Sequence, residues 1–107
     1  MTADDARRLA LALPEAVEQD HHGRPSFRVA GKIFATIWDE RTMNVMIDEP
    51  GIRTAVAEHP DWCSQRYWGK RLAAVAVDLP RAPAPELLEL LELLSDAWEG
   101  KAGRPAA

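Results

Sequence analysis

The segment 26–48 constrains the fold of this chain more than any other part of the sequence. It contains three runs rich in β-branched and aromatic residues, at 26–29, 32–38 and 43–48. Ala30-Gly31 separates the first two runs, and a short polar stretch at 39–42 separates the last two. Connections this short join antiparallel strands in hairpins. The segment therefore predicts an antiparallel meander of three strands.

The middle run predicts a central strand of that meander. Successive side chains of a strand point to opposite faces of the sheet. Phe34, Thr36 and Trp38 then share one face, and Ile33, Ala35 and Ile37 share the other. Both faces are largely apolar, which favours a strand with neighbours on both sides.

Helical periodicity flanks this meander on both sides. Thr2 can cap a first helix that begins at Ala3 and ends at Pro14, and a second helix fits between Pro50 and Pro60, with Asp48 or Glu49 as its cap. A third begins at Pro85 or Glu86. Its apolar stripe consists of Leu87, Leu90, Leu91, Leu94, Ala97 and Trp98.

Two further strands and a loop complete the predicted order. Residues 17–22 are a candidate first strand, and residues 72–79 a last strand, while Trp62 and Cys63 fall in a loop before SQRYWGKRL. Hairpin-linked strands with separate helices indicate an α+β fold in two layers, with the N-terminal, middle and C-terminal helices on one side of an antiparallel sheet. We expect one domain over residues 1–99 and a disordered tail over 100–107.

Composition excludes several classes of protein. The single cysteine, Cys63, cannot form an intrachain disulfide, and the polar start MTADDARRLA does not have the apolar region of a signal peptide. No apolar run is long enough to cross a bilayer. We expect no membrane partner, and by default a cytoplasmic location.

Charge is distributed unevenly along the chain. The net charge is −4, but residues 21–71 carry eight basic and six acidic side chains, a local balance of +2, so the two ends together carry −6. The middle of the chain is therefore permissive for an anionic partner, without the strongly basic footprint of a dedicated DNA-binding protein.

No residue pattern predicts catalysis or a cofactor. Cys63 has no nearby base, Ser26 and Ser64 lie outside any nucleophile elbow, and no phosphate-binding loop or dinucleotide glycine motif occurs. His21 and His22 are adjacent, but neighbours on a strand point apart and no ligand spacing accompanies them. We predict no catalytic residues, no metal and no cofactor, and expect a protein that is not an enzyme.

Two segments carry candidate binding residues. The stretch Gln65–Arg71 interleaves cations with aromatic rings, a mixture that can hold phosphates and stack bases. The alternative interpretation makes Trp68 a core residue and the cations ordinary surface charge. The nucleic-acid candidates are Arg24, Arg28, Lys32, Arg66, Tyr67, Trp68, Lys70 and Arg71, if the Ser26/Arg28 side of its strand faces solvent.

The stretch HHGRPSFRVAGKIFATIW, followed by RYWGKR and a valine-rich strand, resembles the MmcQ/YjbR family of small bacterial proteins. The resemblance extends from about Thr2 to Trp98. It implies a CyaY-like α+β fold, also described as a double-wing arrangement, and a DNA-binding label that rests largely on fold analogy. The similarity of that fold to frataxin-type proteins implies a further candidate, iron on acidic helical surface. Its residues would be Asp4, Asp5, Glu86, Glu89, Glu92 and Asp96.

Three hypotheses for function therefore remain open. The first is a non-catalytic binding module for nucleic acid, DNA being the possible partner. The second is a small-molecule-binding protein or enzyme whose pocket is lined by His22, Arg24, Trp38 and Trp68. The third is a structural or interaction protein that forms a homodimer through its C-terminal helix. The expected oligomeric state is therefore a monomer or a homodimer.

Overall fold

A six-stranded antiparallel sheet forms one layer of the protein, and three α-helices form the other. The computed structural model describes residues 1–105. The strands are β1 (Val17–His21), β2 (Arg24–Val29), β3 (Lys32–Asp39), β4 (Thr42–Val45), β5 (Cys63–Trp68) and β6 (Arg71–Asp78). The helices are α1 (Ala3–Leu11), α2 (Glu49–Glu58) and α3 (Glu89–Ala102), and a 3₁₀ turn spans Pro85–Leu87. The strand order in the sheet is β1-β2-β3-β4-β6-β5. The predicted α+β class and the meander of β2, β3 and β4 are confirmed.

The turns explain why β1, β2 and β3 pair in sequence order. Ala30 and Gly31 both adopt positive φ, 52° and 76°, and so do His22 and Gly23, 53° and 82°. Two consecutive left-handed residues form a turn whose twist matches that of the flanking strands. Both hairpins therefore close with two residues.

The core lies between the helices and one face of the sheet. Phe27, Met43 and Val75 of the sheet are fully buried there, together with Leu94 and Trp98 of α3. The indole Nε1–H of Trp98 donates a hydrogen bond of 2.8 Å to the carbonyl oxygen of Pro14. This bond satisfies the polar end of a buried indole and connects α3 to the chain that leaves α1.

The predicted helix caps are present in the structure. The Thr2 hydroxyl accepts from the backbone N–H of Asp5, whose carboxylate accepts from the N–H of Thr2, a reciprocal capping box. Asp48 caps α2 by accepting a 2.9 Å hydrogen bond from the N–H of Gly51.

The prediction of a loop at Trp62 and Cys63 is wrong for Cys63, because β5 begins there. This strand lies at the edge of the sheet and is mostly exposed, so its sequence lacks the apolar alternation that identified the other strands. Pairing with β6 supplies its conformation instead.

The third helix begins later and ends later than predicted. Pro85–Leu87 is a 3₁₀ turn, and Leu88 adopts φ 63°, which a right-handed helix cannot contain, so α3 begins at Glu89. At the other end, residues 100–102 are helical rather than a disordered tail. Arg104 contacts the carboxylate of Glu15 and lies 5.0 Å from the ring of Trp98. Residues 106 and 107 of the predicted tail lie outside the described residues.

The apolar stripe of the third helix belongs mainly to the core. Leu90, Leu94, Ala97 and Trp98 are buried, whereas Leu87 is 65% exposed. The surface that remains for the dimer hypothesis is therefore smaller than the stripe predicted. None of the described helices is long and apolar enough to cross a membrane.

Leucine truncations in this region test how the core is assigned. We expect Leu94→Ala to lower the free energy of unfolding by about 2–5 kcal/mol, because it removes a fully buried side chain and leaves a cavity. Leu87→Ala, the matched exposed control, changes it by about 0.5 kcal/mol or less. Urea denaturation measures the free energy of unfolding of both variants. Equal losses of stability would contradict the assignment of Leu94 to the core and Leu87 to the surface.

Candidate functional site: the open face of the sheet

The face of the sheet opposite the helices, here called the open face, carries a row of small polar side chains. The register pairs Ser26 with Thr36, Thr36 with Asn44, and Asn44 with Ala76, so these residues share one face across four strands. Their neighbours on the same face follow from the same register. The large side chains on this face are those of Arg24, Arg28, Trp38, Arg66, Trp68 and Arg71.

The centre of the open face is buried although the helices lie on the other side. Ser26, Asn44 and Ala74 are fully buried, and Thr36 and Ala76 are nearly so. Long side chains from the same face provide this cover: the Arg28 Nε–H donates to the Ser26 hydroxyl at 3.2 Å, for example. The open face is therefore a trough with a floor of small residues and a rim of arginines and tryptophans.

Trp38 stands between two of the rim arginines. The guanidinium carbon of Arg24 lies 3.8 Å from the centre of the Trp38 ring, and its Nε–H donates to the carbonyl oxygen of Trp38 at 2.9 Å. The guanidinium carbon of Arg66 lies 5.4 Å from the same ring. Both distances fall within the range of cation–π attraction. This packing fixes the orientation of Arg24.

A cavity of about 490 Å³ occupies part of the trough. This volume falls within the range typical of small-molecule sites. Its lining consists of His21, His22, Arg24, Ile33, Thr36, Trp38, Met46, Trp68, Arg71 and Lys101. Three of these are cations, two are tryptophans, and none of the described lining residues is a carboxylate.

All four residues of the predicted small-molecule pocket line this cavity. His22 and Arg24 come from the first hairpin, Trp38 from the end of β3 and Trp68 from the end of β5. Antiparallel pairing brings these segments to one face. The sequence could not have predicted Lys101, which reaches the cavity from the last turn of α3.

Seven of the eight predicted nucleic-acid residues fall into three groups. Arg24, Trp68 and Arg71 line the cavity, and Arg28 and Arg66 lie on the same face beside it. Lys32 and Lys70 occupy or adjoin the hairpin turns at one end of the sheet. The Ser26/Arg28 side of β2 is the open face, where Arg28 is partly exposed and Ser26 is fully buried.

Tyr67 departs from that predicted surface. It pairs with the core residue Leu72, so its ring belongs to the face that carries the helices. Trp68 is 44% exposed, so the alternative interpretation of this residue as a core residue is wrong.

The paired histidines lie at the first hairpin turn with their rings together, and the expectation that they point apart is wrong because His22 takes a positive φ and is not part of the strand. The rings of His21 and His22 contact each other edge to face at 4.4 Å. Within residues 1–105, no group of three or more histidine, cysteine, aspartate or glutamate side chains is arranged to hold a metal ion. The acidic residues considered for iron, all of which lie within these residues, form no such group either.

Comparison with known proteins places this fold in a family. The YjbR family model matches residues 11–99. The chain belongs to the YjbR family. The crystal structure of Deinococcus radiodurans protein DR2400, which carries a DUF419 domain, superposes with a TM-score of 0.71 at 20% identity and covers 99% of this chain and 91% of that chain. That likeness shows a shared fold, and no curated protein matches the sequence.

A second concavity of this YjbR protein adjoins the cavity and has mainly carboxylates among its charged lining residues, and Met46, Arg71 and Lys101 belong to both linings. A groove of about 750 Å³ lies near α2, α3 and the ends of β4 and β6, and six of its lining residues are carboxylates. These are Asp48, Glu49, Glu58, Glu89, Glu92 and Asp96. Burial raises the pKa of Asp96, and the nearby carboxylates of Glu99, Glu92 and Asp48 raise it further.

Neutralising Asp96 should stabilise the protein at neutral pH. A raised carboxyl pKa means that ionisation is less favourable in the folded state than in the unfolded state. We therefore expect Asp96→Asn to be slightly more stable than wild type at pH 7, with the difference shrinking as the pH falls below the pKa and Asp96 itself becomes neutral. Urea denaturation across pH measures this, and a difference that grows on acidification would contradict it.

Cys63 is unsuited to nucleophilic chemistry in this fold. Its side chain is 2% exposed, and burial, with a smaller contribution from Asp61, raises the thiol pKa to about 12. The reactive thiolate is therefore scarce at neutral pH. We expect the native thiol to react with a disulfide reagent at least about 100-fold more slowly than the urea-unfolded thiol. Equal reaction rates for the native and the unfolded thiol would contradict the burial of Cys63.

Proposed function

We propose that this protein is a non-catalytic binding module whose open face takes a small anionic ligand with a planar ring. One observation carries the proposal: three cations and two tryptophans line the cavity, and none of its described lining residues is a carboxylate. Unpaired cations at a concave surface focus a positive potential and attract anions. Exposed tryptophans give a planar ring an apolar surface on which to stack.

Charge and orientation within the cavity favour an oxyanion on this ligand. Arg24 already donates its Nε–H to a backbone carbonyl, so its remaining N–H groups are held in a fixed plane. A planar guanidinium matches a carboxylate or a phosphate with two parallel hydrogen bonds. Arg71 and Lys101 add positive charge at the side of the cavity that adjoins the carboxylate-lined groove, whose lining they share.

Single-stranded nucleic acid is the second candidate. It is favoured by Arg28, Lys32 and Lys70, which carry positive charge from the cavity towards one end of the sheet. Stacking of bases on aromatic rings beside such cations is a common way to bind single strands. A ligand of this kind would extend beyond the cavity, whereas a mononucleotide would fit within it.

Calorimetric titration distinguishes these ligands. Uridine 5′-monophosphate (UMP) should bind about tenfold or more tightly than uridine, because only the former carries the oxyanion. A short oligothymidylate that binds far more tightly than UMP, with a steep loss of affinity in salt, would favour the second candidate. Absence of binding by all three at low salt would refute the proposal.

Adjacent aromatic residues of β5 provide a matched pair of variants. Trp68 and Tyr67 are 44% and 47% exposed but lie on opposite faces of the sheet. We expect Trp68→Ala to weaken UMP binding about tenfold and Tyr67→Ala to leave it unchanged, since each stacked ring contributes about 1–3 kcal/mol. Arg24→Gln and Arg53→Gln are a second matched pair, in which each variant removes one positive charge. We expect Arg24→Gln to weaken UMP binding and Arg53→Gln to leave it unchanged, because Arg53 lies on α2 and pairs with Glu49. Equal effects within either pair would count against the open face.

A further inference from the structure

Asn44 is an unexpected residue at the centre of the open face. Its side chain is fully buried, and its Nδ2 has no hydrogen-bond partner among the described residues. A buried amide without a partner costs free energy that an apolar side chain in its place would not cost. Its neighbours Thr36 and Ala76 are small, and a branched apolar side chain suits a strand at this position. Stability alone therefore does not account for Asn44.

Arg66 contacts Asn44 and lies beside the cavity, although neither residue lines it. Thr36, which pairs with Asn44 in the sheet, does line it. The Arg66 Nε–H donates a 3.3 Å hydrogen bond to the Asn44 Oδ1 atom, which identifies Nδ2 as the unpartnered donor. Its guanidinium carbon is 5.4 Å from the ring of Trp38, a cavity residue. Arg66 also belongs to the edge strand β5 and is only partly buried, so its long side chain can move without disturbing the core.

We propose that Asn44 and Arg66 together determine specificity for the oxyanion of the ligand. The ligand oxyanion, a carboxylate or a phosphate, binds in the cavity beside Thr36 and turns the terminal N–H groups of Arg66 towards itself, while the Arg66 Nε–H remains bonded to Asn44 Oδ1. This movement uncovers Asn44 Nδ2, which donates a hydrogen bond to the oxyanion. The acceptor group thereby satisfies the donor that is unpartnered in the free protein. This inference rests on the proposed function, and it adds that a neutral ligand of the same shape binds less tightly.

Hydrogen-bond chemistry explains why an oxyanion fits this pair better than a neutral group. The arginine N–H groups and the Asn44 Nδ2 are all donors, and the Asn44 acceptor oxygen already faces Arg66. A carboxylate or phosphate oxygen has only acceptor sites and accepts from several donors together. A neutral amide would place its own N–H donors against them.

The experiment compares three probes with the same ring: phenyl phosphate, benzoate and benzamide. We expect wild type to bind at least one of the two anions about tenfold more tightly than benzamide, and the preferred anion identifies phosphate or carboxylate as the natural group. Asn44→Val should weaken binding of that anion about tenfold while the midpoint of urea denaturation stays equal or rises. Gln65→Val removes an amide from the other face of β5, where Gln65 pairs with Val75; it is the control and should leave binding of the anion unchanged.

A charge reversal and a coupling measurement separate this role from a structural one. Asn44→Asp should abolish the preference for the anion, because its carboxylate pairs with Arg66 and repels the ligand, while benzamide binding is retained. Arg66→Gln should weaken anion binding as Asn44→Val does. The double variant should lose less than the product of the two single losses, since both residues act on one group.

Wild-type NMR provides a readout that depends on no variant. The side-chain amide resonances of Asn44 should shift on titration with the preferred anion. Unmoved resonances, or an Asn44→Val protein that binds the anion as well as wild type does, would show that Asn44 is satisfied by ordered water, and this inference would fail while the proposed function stood. Failure of wild type to bind any ring-bearing anion, UMP included, would instead overturn both.

Discussion

Packing of all three helices against one face of the sheet is the constraint on which the rest of the structure depends. That face is apolar and forms the core, with Trp98 at its centre and Pro14 accepting the indole hydrogen bond. The other face must then be covered by its own side chains. Large arginines and tryptophans on the rim fold over a floor of serine, threonine, asparagine and alanine, which creates a trough instead of a flat surface.

The cavity in the trough and the groove near α2 and α3 differ in charge, although Arg71 and Lys101 line both. Carboxylates from α3 and from both ends of α2 line the groove, and burial, together with the nearby carboxylates, raises the pKa of Asp96. Several cations lie on the open face, and for this reason a chain with a net charge of −4 has a cavity that is lined by cations. Net charge therefore says little about the ligand of a protein whose charges are separated in this way.

Local chemistry made most of the fold predictable. Thr2 and Asp48 mark helix starts through their capping hydrogen bonds, and Ala30-Gly31 marks a hairpin because both residues take positive φ. The failures occurred where local signals are weak or are overridden. The edge strand β5 has polar residues on both faces and is specified by its pairing with β6, and Leu88 interrupts a run of leucines that has helical spacing throughout.

The sequence by itself determined the α+β class, the strands of the meander, the YjbR resemblance and the residue types available for binding. Those properties follow from periodicity, capping and turn chemistry, which act over a few residues. Only the tertiary structure decided which of those residues meet, because strand order and register depend on contacts between distant segments. It joined His22, Arg24, Trp38 and Trp68 in one cavity, brought in Lys101 from α3, and turned Tyr67 to the other face. It also buried Asn44 beneath Arg66, a contact between residues 22 positions apart that no local pattern predicts.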